Sequence, residues 1–303
     1  CHNHTVYQAC NFAVQADDPN PLCVSCRQTR LLPDLSVADN LAHWCRVEVA
    51  KRRLYYTLAK LELLQAAPNG PVFEFLADLP GAPGVMTGHR DGVITLNIAE
   101  ADDEECTRRR IALHEPYRTL LGHLRHESGH YYWETLIRAQ DRTDEFNAVF
   151  GDASIDYTHA LQRHYANDGT AQDWHRDHVS AYATSHPLED WAETWAHYLH
   201  MVDLLETASA YRTSVAVPGS DDPRLARIAN PFGKAQSDFD VLVAQWVPIT
   251  LMVNSLNRSL GQSDAYPFAL SDGALRKLRY VHEVIRAPMA PTPKAASAAI
   301  NLP

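Results

Sequence analysis

The sequence lacks several features that mark particular classes of protein. Its 303 residues contain no run approaching the roughly 18 uncharged apolar residues of a membrane span, and no basic-then-apolar signal region opens the chain. Basic residues are not in excess either: 27 Lys and Arg stand against 37 Asp and Glu, a net charge of −10. With 46% hydrophobic and 21% charged residues, low complexity is also excluded. We therefore expect a globular protein that binds neither membranes nor nucleic acids.

Residues that bind transition metals are present, and they are segregated along the chain. Five of the six Cys lie in residues 1–45, whereas eleven of the 16 His lie between His114 and His200. This separation suggests two metal sites of different character. Residues 1–66 are also nearly neutral, so the acidic excess belongs to the remainder of the chain.

Local patterns divide the chain into four regions. Residues 1–33 combine Cys with polar turns and show no helical period, which predicts a small module of loops and short strands. Residues 34–68 contain an amphipathic helix that we expect to link this module to the main domain. The main domain spans residues 69–286, and residues 287–303, rich in Pro and Ala, predict a flexible tail.

The main domain is predicted to be mainly helical. Alternating apolar and polar residues at 72–75 and 92–98 predict a small sheet, mostly antiparallel. Pro116 suits the first turn of a helix. Helices are expected at 37–65, 116–137, 144–166, 173–183, 189–212, 238–260 and 272–286. The predicted fold class is α+β, with a small Cys-rich module before a mainly helical domain.

Residues 126–130 read His-Glu-Ser-Gly-His, which matches the HExxH pattern of zinc hydrolases. On a helix, residues i and i+4 share a face, so His126 and His130 can bind one ion. Glu127 could hydrogen-bond a water on the metal without being a ligand, which makes it the candidate general base. Gly129 inside this helix costs about 1 kcal/mol relative to Ala, which favours a close approach or a functional reason for it.

A third protein ligand must complete the site and leave one position open for water. The motif is not extended by a further His at HExxHxxGxxH spacing. We favour a later helix on which Glu189 and Glu193 are four residues apart, because one carboxylate can bind the metal while the other orients a His ligand. The rival ligands are acidic residues that follow the motif helix and His residues on the later helix: Asp152, Asp156, His197 and His200.

A closed tetrahedral zinc site needs four thiolates, and the first 26 residues supply Cys1, Cys10, Cys23 and Cys26. Disulfides would need an oxidising compartment, and a redox pair would need a βαβ context that this segment lacks. With no visible signal peptide, we expect a cytoplasmic protein whose reduced thiols bind a structural zinc. His2 or His4 could replace Cys1 as a ligand.

Three segments carry a resemblance to a known family. Residues 124–133, 150–152 and 186–197 resemble a bacterial family of zinc-binding metallopeptidases with an N-terminal zinc-ribbon-like segment, and the similarity runs from Cys1 to about residue 286. The layout of HExxH with a later Glu-bearing helix resembles the gluzincins, which implies a zincin-like catalytic domain.

The resemblance also implies roles for individual residues. In gluzincins the first Glu of such a pair is a ligand and the second acidic residue supports a ligand His, which carries over to Glu189 and Glu193. Asp152, in a matching segment, is expected to support the ligands as well. In a toxin branch of the group, a Tyr seven residues before the ligand Glu helps stabilise the oxyanion, and Tyr182 stands at that offset.

These features predict a zinc-dependent metallopeptidase with one catalytic and one structural zinc. Zinc lowers the pKa of a bound water towards about 7, and Glu127 takes its proton before attack on an amide carbonyl. The alternative is a non-catalytic module that captures a peptide or protein, and Glu127 favours the enzyme. The zinc-ribbon-like module could dock a protein partner. Candidate donors to the oxyanion are Tyr182, His175, His178 and His186.

Overall fold

The computed structural model describes residues 1–66, 70–102, 119–166, 173–217, 221–225, 227–233 and 238–287. Within these ranges the chain forms helices α1 (His2–Tyr7), α2 (Asn40–Lys60), α3 (Leu63–Ala66), α4 (Leu120–Leu136), α5 (Thr143–Phe150), α6 (Tyr157–Ala166), α7 (Pro187–Ala210), α8 (Phe239–Ser259) and α9 (Asp272–Arg286). The strands are β1 (Thr29–Leu31), β2 (Val72–Leu76), β3 (Gly88–Arg90) and β4 (Val93–Asn97). The α+β class is confirmed.

Helix α2 is the amphipathic helix that the sequence predicts at residues 37–65, although it is shorter than predicted. Its apolar residues at helical spacing, including Trp44, Val47 and Leu54, lie in the hydrophobic core. The helix begins after Asp39, which has a left-handed backbone, and its last turn ends before Glu62, which has a φ of 61°. The buried face of α2 contacts α4, so this helix is part of the main packing.

The sheet is mixed, so the prediction of a mostly antiparallel sheet is wrong. In the order β1-β2-β4-β3, strand β2 pairs in parallel with both β1 and β4, whereas β3 and β4 are antiparallel. Helix α2 carries the chain from β1 to β2 as a crossover, and such connections give parallel strands. The tight turn at Asp91 and Gly92, both with positive φ, reverses the chain between β3 and β4. The domain boundary predicted at residue 33 remains a prediction. Strand β1 lies before that boundary and pairs with β2, which lies after it.

Two other helical predictions are corrected. The helix expected at 144–166 is two helices, α5 and α6, because Gly151 between them has a φ of 100°, which no α-helix accommodates. The segment 173–183 contains only short 3-10 turns, Trp174–Arg176 and Tyr182–Thr184. Ser180 accepts a side-chain hydrogen bond from the Ala183 amide, which competes with a regular helix there. Helix α1 occupies a region where no helix was expected.

Helix α4 begins at Leu120, where the Thr119 hydroxyl accepts a hydrogen bond from the Gly122 amide at 2.9 Å. The predicted start at Pro116 lies outside the described residues, as does nearly all of the predicted tail. Helix α7 begins at Pro187 with His186 as its N-cap, two residues earlier than predicted.

The packing of α4 against α7 forms the centre of the molecule. A Cβ atom on Gly129 would lie 2.9 Å from the Ala192 Cα atom, so the two backbones approach too closely for any side chain there. The Trp191 indole donates to the Gly129 carbonyl at 2.8 Å, and the Trp195 indole donates to the Ser128 hydroxyl at 3.1 Å. A close approach was one of the two reasons predicted for Gly129, and it is confirmed.

Helix α8 is the one helix within the described ranges that is long and apolar enough to cross a membrane, judged by length and composition only. Core helices of soluble proteins pass the same test, and 39% of its most apolar window is buried. Leu242, Trp246 and Ile249 on its inner face belong to the hydrophobic core, whereas Val247 and Leu251 on its outer face are exposed.

Candidate functional site

His126, His130 and Glu189 converge between α4 and α7. One donor atom from each side chain lies within 4.8 Å of the others. The His126 and His130 Nε2 atoms are 3.2 Å apart, and the Glu189 carboxylate oxygens lie 3.1 and 3.3 Å from these two nitrogens. The structure therefore brings together the three residues that the sequence predicts as ligands of one metal ion.

The chemistry of these three groups fits a cation. The Nδ1 atom of His126 lies 2.7 Å from Glu193 Oε1 and donates to it, so in the neutral form of the imidazole, the form that binds a metal, the Nε2 lone pair faces the cluster. Glu189 Oε2 is buried without a hydrogen-bond partner. Burial alone would raise the pKa of Glu189, but His130 and His126 lower it well below its ordinary value. A metal ion would satisfy these converging acceptors.

Glu193 supports His126 from the side opposite the cluster. Its second carboxylate oxygen accepts a hydrogen bond from the Ser180 hydroxyl at 2.6 Å. Burial acts to raise the pKa of Glu193, but the hydrogen bond from His126 and its positive charge lower the pKa to about 2. The carboxylate is therefore ionised, and its position matches the predicted role of orienting a His ligand.

Glu127 is buried beside the cluster and has a partner that the sequence reading missed. Its Oε1 atom lies 3.3 Å from His123 Nε2, and His123 Nδ1 makes a short contact with Glu100 Oε2. Glu100 in turn accepts from the Thr87 hydroxyl at 2.5 Å. Burial would raise the pKa of Glu127, but His123 and the neighbouring imidazoles lower it. The signal for His123 was available, because it stands four residues before Glu127 on the same helical face.

Two tyrosines flank Glu189. The Tyr157 hydroxyl donates to Glu189 Oε1 at 2.6 Å, and this residue was not predicted. The predicted Tyr182 lies beside the cluster, with its ring centroid 6.0 Å from that of His126. Burial, followed by the charge of Glu189, raises the pKa of both hydroxyls well above the ordinary value, so both remain hydrogen-bond donors.

The rival acidic residues are engaged in local turns. Asp152 is exposed, and its Oδ1 atom accepts hydrogen bonds from the amide and the hydroxyl of Ser154. This arrangement does not fit the predicted role of Asp152 in supporting a ligand. Asp156 accepts from the His159 amide at 2.7 Å near the start of α6. Both carboxylates shape the segment between α5 and α6.

The other candidate histidines also have partners away from the cluster. His197 bonds the Tyr266 hydroxyl at 2.5 Å, and His200 makes a short contact with Arg125. Among the predicted oxyanion donors, His186 accepts from the Leu188 amide and donates to the Ile155 carbonyl, each at 3.0 Å. The remaining two are His178, 3.5 Å from Asp190, and His175, packed on Trp174.

The N-terminal cysteines form a second cluster. Sulfur atoms of Cys1, Cys10, Cys23 and Cys26 all lie within 4.8 Å of one another. The Cys10 and Cys23 sulfurs are 3.7 Å apart, well beyond the roughly 2.05 Å of a disulfide bond. Backbone amides of Cys23 and Phe12 donate to the sulfurs of Cys1 and Cys10 at 3.3 and 3.4 Å.

The surroundings of the cysteine cluster fit a bound cation. Three of the four cysteines are buried, and amide donation to sulfur is a favourable setting for thiolates. The predicted substitutes are not in this group: His2 is exposed, and the His4 Nδ1 atom bonds the Cys10 carbonyl at 2.8 Å. Beneath the cluster, the fully buried Lys51 and Glu48 side chains form an ion pair of 2.9 Å.

Comparison with known proteins agrees with this architecture. Residues 40–284 match the family model described as "Putative zinc-binding metallo-peptidase", and residues 1–37 match a model of a zinc-ribbon domain. Uncharacterized proteins from Mycobacterium bovis and from two strains of Mycobacterium tuberculosis are 42% identical to this chain over 282 residues, which cover 91% of this chain and 79% of theirs. No solved structure matches the chain. Because the first model spans most of its length, the chain belongs to this zinc-binding metallopeptidase family and carries a zinc-ribbon domain at its N-terminus.

Proposed function

We propose that this protein is a zinc-dependent metallopeptidase of the gluzincin type that hydrolyses peptide bonds. One observation carries the proposal: the converging His126, His130 and Glu189 donors have an ionised carboxylate, Glu127, beside them on the same helix. A site that only held the fold together would have no use for this base. When bound, zinc would activate water and polarise the substrate carbonyl.

The residues around the site would each have a distinct task. Glu127 would accept the proton of the attacking water and pass it to the nitrogen of the departing amine, which balances the hydrolysis. His123 holds one oxygen of Glu127, so the carboxylate keeps a single orientation. The protonated Tyr182 hydroxyl would donate to the oxyanion that forms on the carbonyl.

The edge of the sheet supports a peptide as the substrate. Strand β3 pairs with β4 on one side, and in the described part of the chain no strand pairs with its other side. An extended peptide can add to such an edge through backbone hydrogen bonds. This edge contacts the motif helix, since the His89 and Tyr131 rings are 6.0 Å apart. A substrate strand on β3 would therefore pass close to Glu127.

The two clusters would hold zinc for different purposes. Four thiolates complete a tetrahedron and leave no position for water, which is the composition of a structural site. Three ligands leave one position open, which is the composition of a catalytic site. We propose that the cysteine cluster stabilises the zinc-ribbon domain and that chemistry occurs only at the cluster of His126, His130 and Glu189.

The test is to measure zinc per chain and cleavage of a mixed peptide library for the native protein and for Glu127→Gln. We expect two zinc ions per chain in both proteins and cleavage by the native protein, with a loss of about 10²- to 10⁴-fold in the variant. Glu134→Gln is a matched control, because Glu134 lies on the same helix and contacts Arg138. A native protein that binds both zinc ions but cleaves no peptide would favour the alternative, a non-catalytic peptide-binding module.

A further inference from the structure

Helix α6 stands beside the candidate site with little packing of its own. Of its ten residues, only Ala160 is buried. The segment before it is held by the hydrogen bond from His186 to the Ile155 carbonyl. Near its other end, the His164 ring lies 5.9 Å from the Tyr182 ring. A helix with so small a buried face depends on specific polar contacts to stay in place.

One polar contact of α6 ends on a proposed metal ligand. Tyr157, the first residue of the helix, donates its hydroxyl proton to Glu189 Oε1 at 2.6 Å. The other oxygen, Oε2, is buried without a hydrogen-bond partner and faces His126 Nε2 at 3.1 Å. Oε1 also lies 3.3 Å from His130 Nε2, so each oxygen of Glu189 faces one imidazole nitrogen. The two oxygens differ in that only Oε1 accepts a hydrogen bond from a hydroxyl, which leaves Oε2 available to a cation.

We propose that Tyr157 is a positioning residue that makes Glu189 a zinc ligand through one oxygen and that couples the seating of α6 to zinc binding. This inference rests on the proposed zinc site, although it does not require that the site cleave peptides. The hydroxyl fixes the carboxylate rotamer before the metal arrives, and it engages Oε1 so that one coordination position stays open.

Thermodynamic reciprocity gives the proposal a second consequence. If the seated helix raises the affinity for zinc by some factor, zinc must favour the seated helix by the same factor. Amides of α6 should therefore exchange with solvent more slowly in the zinc-loaded protein than in the metal-free protein. Removal of the hydroxyl should weaken both effects together, because both depend on one hydrogen bond.

The test compares the full-length native protein with Tyr157→Phe, which removes only the hydroxyl. Zinc dissociation constants of both sites are measured by competition with a chelator, and amide exchange in residues 157–166 is measured with and without zinc. In the variant we expect zinc binding at the cluster that contains Glu189 to be about 10- to 100-fold weaker. We also expect zinc to slow the amide exchange of α6 by less than it does in the native protein. The cysteine site, which should keep its affinity, is the internal control. Tyr165→Phe is the matched control, because it removes a hydroxyl from a side chain of the same helix that is 52% exposed.

The outcomes separate this inference from the proposed activity. If Tyr157→Phe binds zinc as tightly as the native protein, the positioning role is wrong, whatever the peptidase activity. If zinc affinity falls but α6 exchange does not respond to zinc, the coupling is wrong. If both effects occur in a protein that cleaves no peptide, the inference stands and the peptidase proposal fails. A native protein that binds no zinc at the cluster of His126, His130 and Glu189 would overturn both.

Discussion

The two candidate metal centres differ in how the chain assembles them. The four cysteines lie within the first 26 residues, and backbone amides of the same segment donate to two of their sulfurs. The donors of the second centre come from His126, His130 and Glu189, so its ligands span more than 60 residues and two helices. A local segment can hold the first centre, whereas the second exists only when α4 and α7 are packed together.

The surroundings of the centres differ as well. The cysteine cluster lies over the Glu48 carboxylate, which is 4.0 Å from the Cys26 sulfur and is engaged by Lys51 and by the Thr29 hydroxyl, each at 2.9 Å. Around the second centre stand ionised Glu127 and Glu193 and the hydroxyl of Tyr157. Both centres have the side chains to bind zinc. What separates the proposed structural site from the proposed catalytic one is the number of ligands and the presence of proton acceptors beside them.

The largest effect is expected from a variant that tests whether the cysteine centre holds its zinc independently of the second centre. Cys23→Ser should remove one of two zinc ions per chain and disorder residues 1–26, because structural zinc contributes about 10–16 kcal/mol in small zinc-finger peptides. Metal analysis and amide exchange would measure this. Cys45→Ser is the control, since Cys45 is a free thiol outside the cluster. Loss of the second zinc ion as well would contradict the separation of the two centres.

A smaller effect should follow from a change behind the ligands of the second centre. Glu193→Gln removes the negative charge that holds His126 Nδ1, so zinc affinity at that centre should fall about 10- to 100-fold while the cysteine site is unaffected. Chelator competition measures both constants. Glu206→Gln on the same helix is the control, because Glu206 bonds the Tyr56 hydroxyl instead. A complete loss of zinc from the second centre would point to Glu193, rather than Glu189, as the ligand.

The helix contact under the second centre can be tested by Gly129→Ala. The new methyl group would lie 2.9 Å from the Ala192 Cα atom, and such overpacking costs about 1–3 kcal/mol. The better helix propensity of Ala returns about 1 kcal/mol, so we expect a net loss of up to about 2 kcal/mol in the free energy of unfolding. Denaturant unfolding measures it. Gly122→Ala, which meets only side chains of Thr119 and His200, should cost less.

The smallest effect is expected at Asp152. Its carboxylate is exposed and accepts only local hydrogen bonds from Ser154 in the described contacts, so Asp152→Ala should change stability by about 0.5 kcal/mol and leave zinc affinity unchanged. Thermal unfolding and chelator competition test this. A fall in zinc affinity comparable with that of Glu193→Gln would restore the role that the sequence alone suggested for Asp152.

Local spacing explains how much of the second centre was predictable. His126, Glu127 and His130 follow from the HExxH pattern and its helical spacing, and the same spacing places His123 four residues before Glu127. The pair of Glu189 and Glu193 followed from its spacing together with a family resemblance. Tyr157 and Ser180 carry no such signal, because they reach Glu189 and Glu193 only through tertiary packing.

The fold shows the same limit. Alternation of side chains identified β2 and β4, but it carries no information about which strands become neighbours, so the parallel pairings were missed. Periodicity likewise favoured one helix across Gly151, because a single residue with a positive φ does not interrupt an apolar pattern. Whether two strands run parallel is set by the connection between them, and the place where a helix is interrupted can be set by the backbone conformation of a single residue.

The indole contacts between α7 and α4 have a consequence for recognising related chains. HExxH leaves its two middle positions unspecified, yet here Ser128 accepts from Trp195 and Gly129 accepts from Trp191. Those two tryptophans are four residues apart and occupy the same helix as Glu189. A search signature that joins His-Glu-Ser-Gly-His to a later Glu-x-Trp-x-x-x-Trp would select for this helix contact, and would reject chance HExxH matches that lack a partner helix.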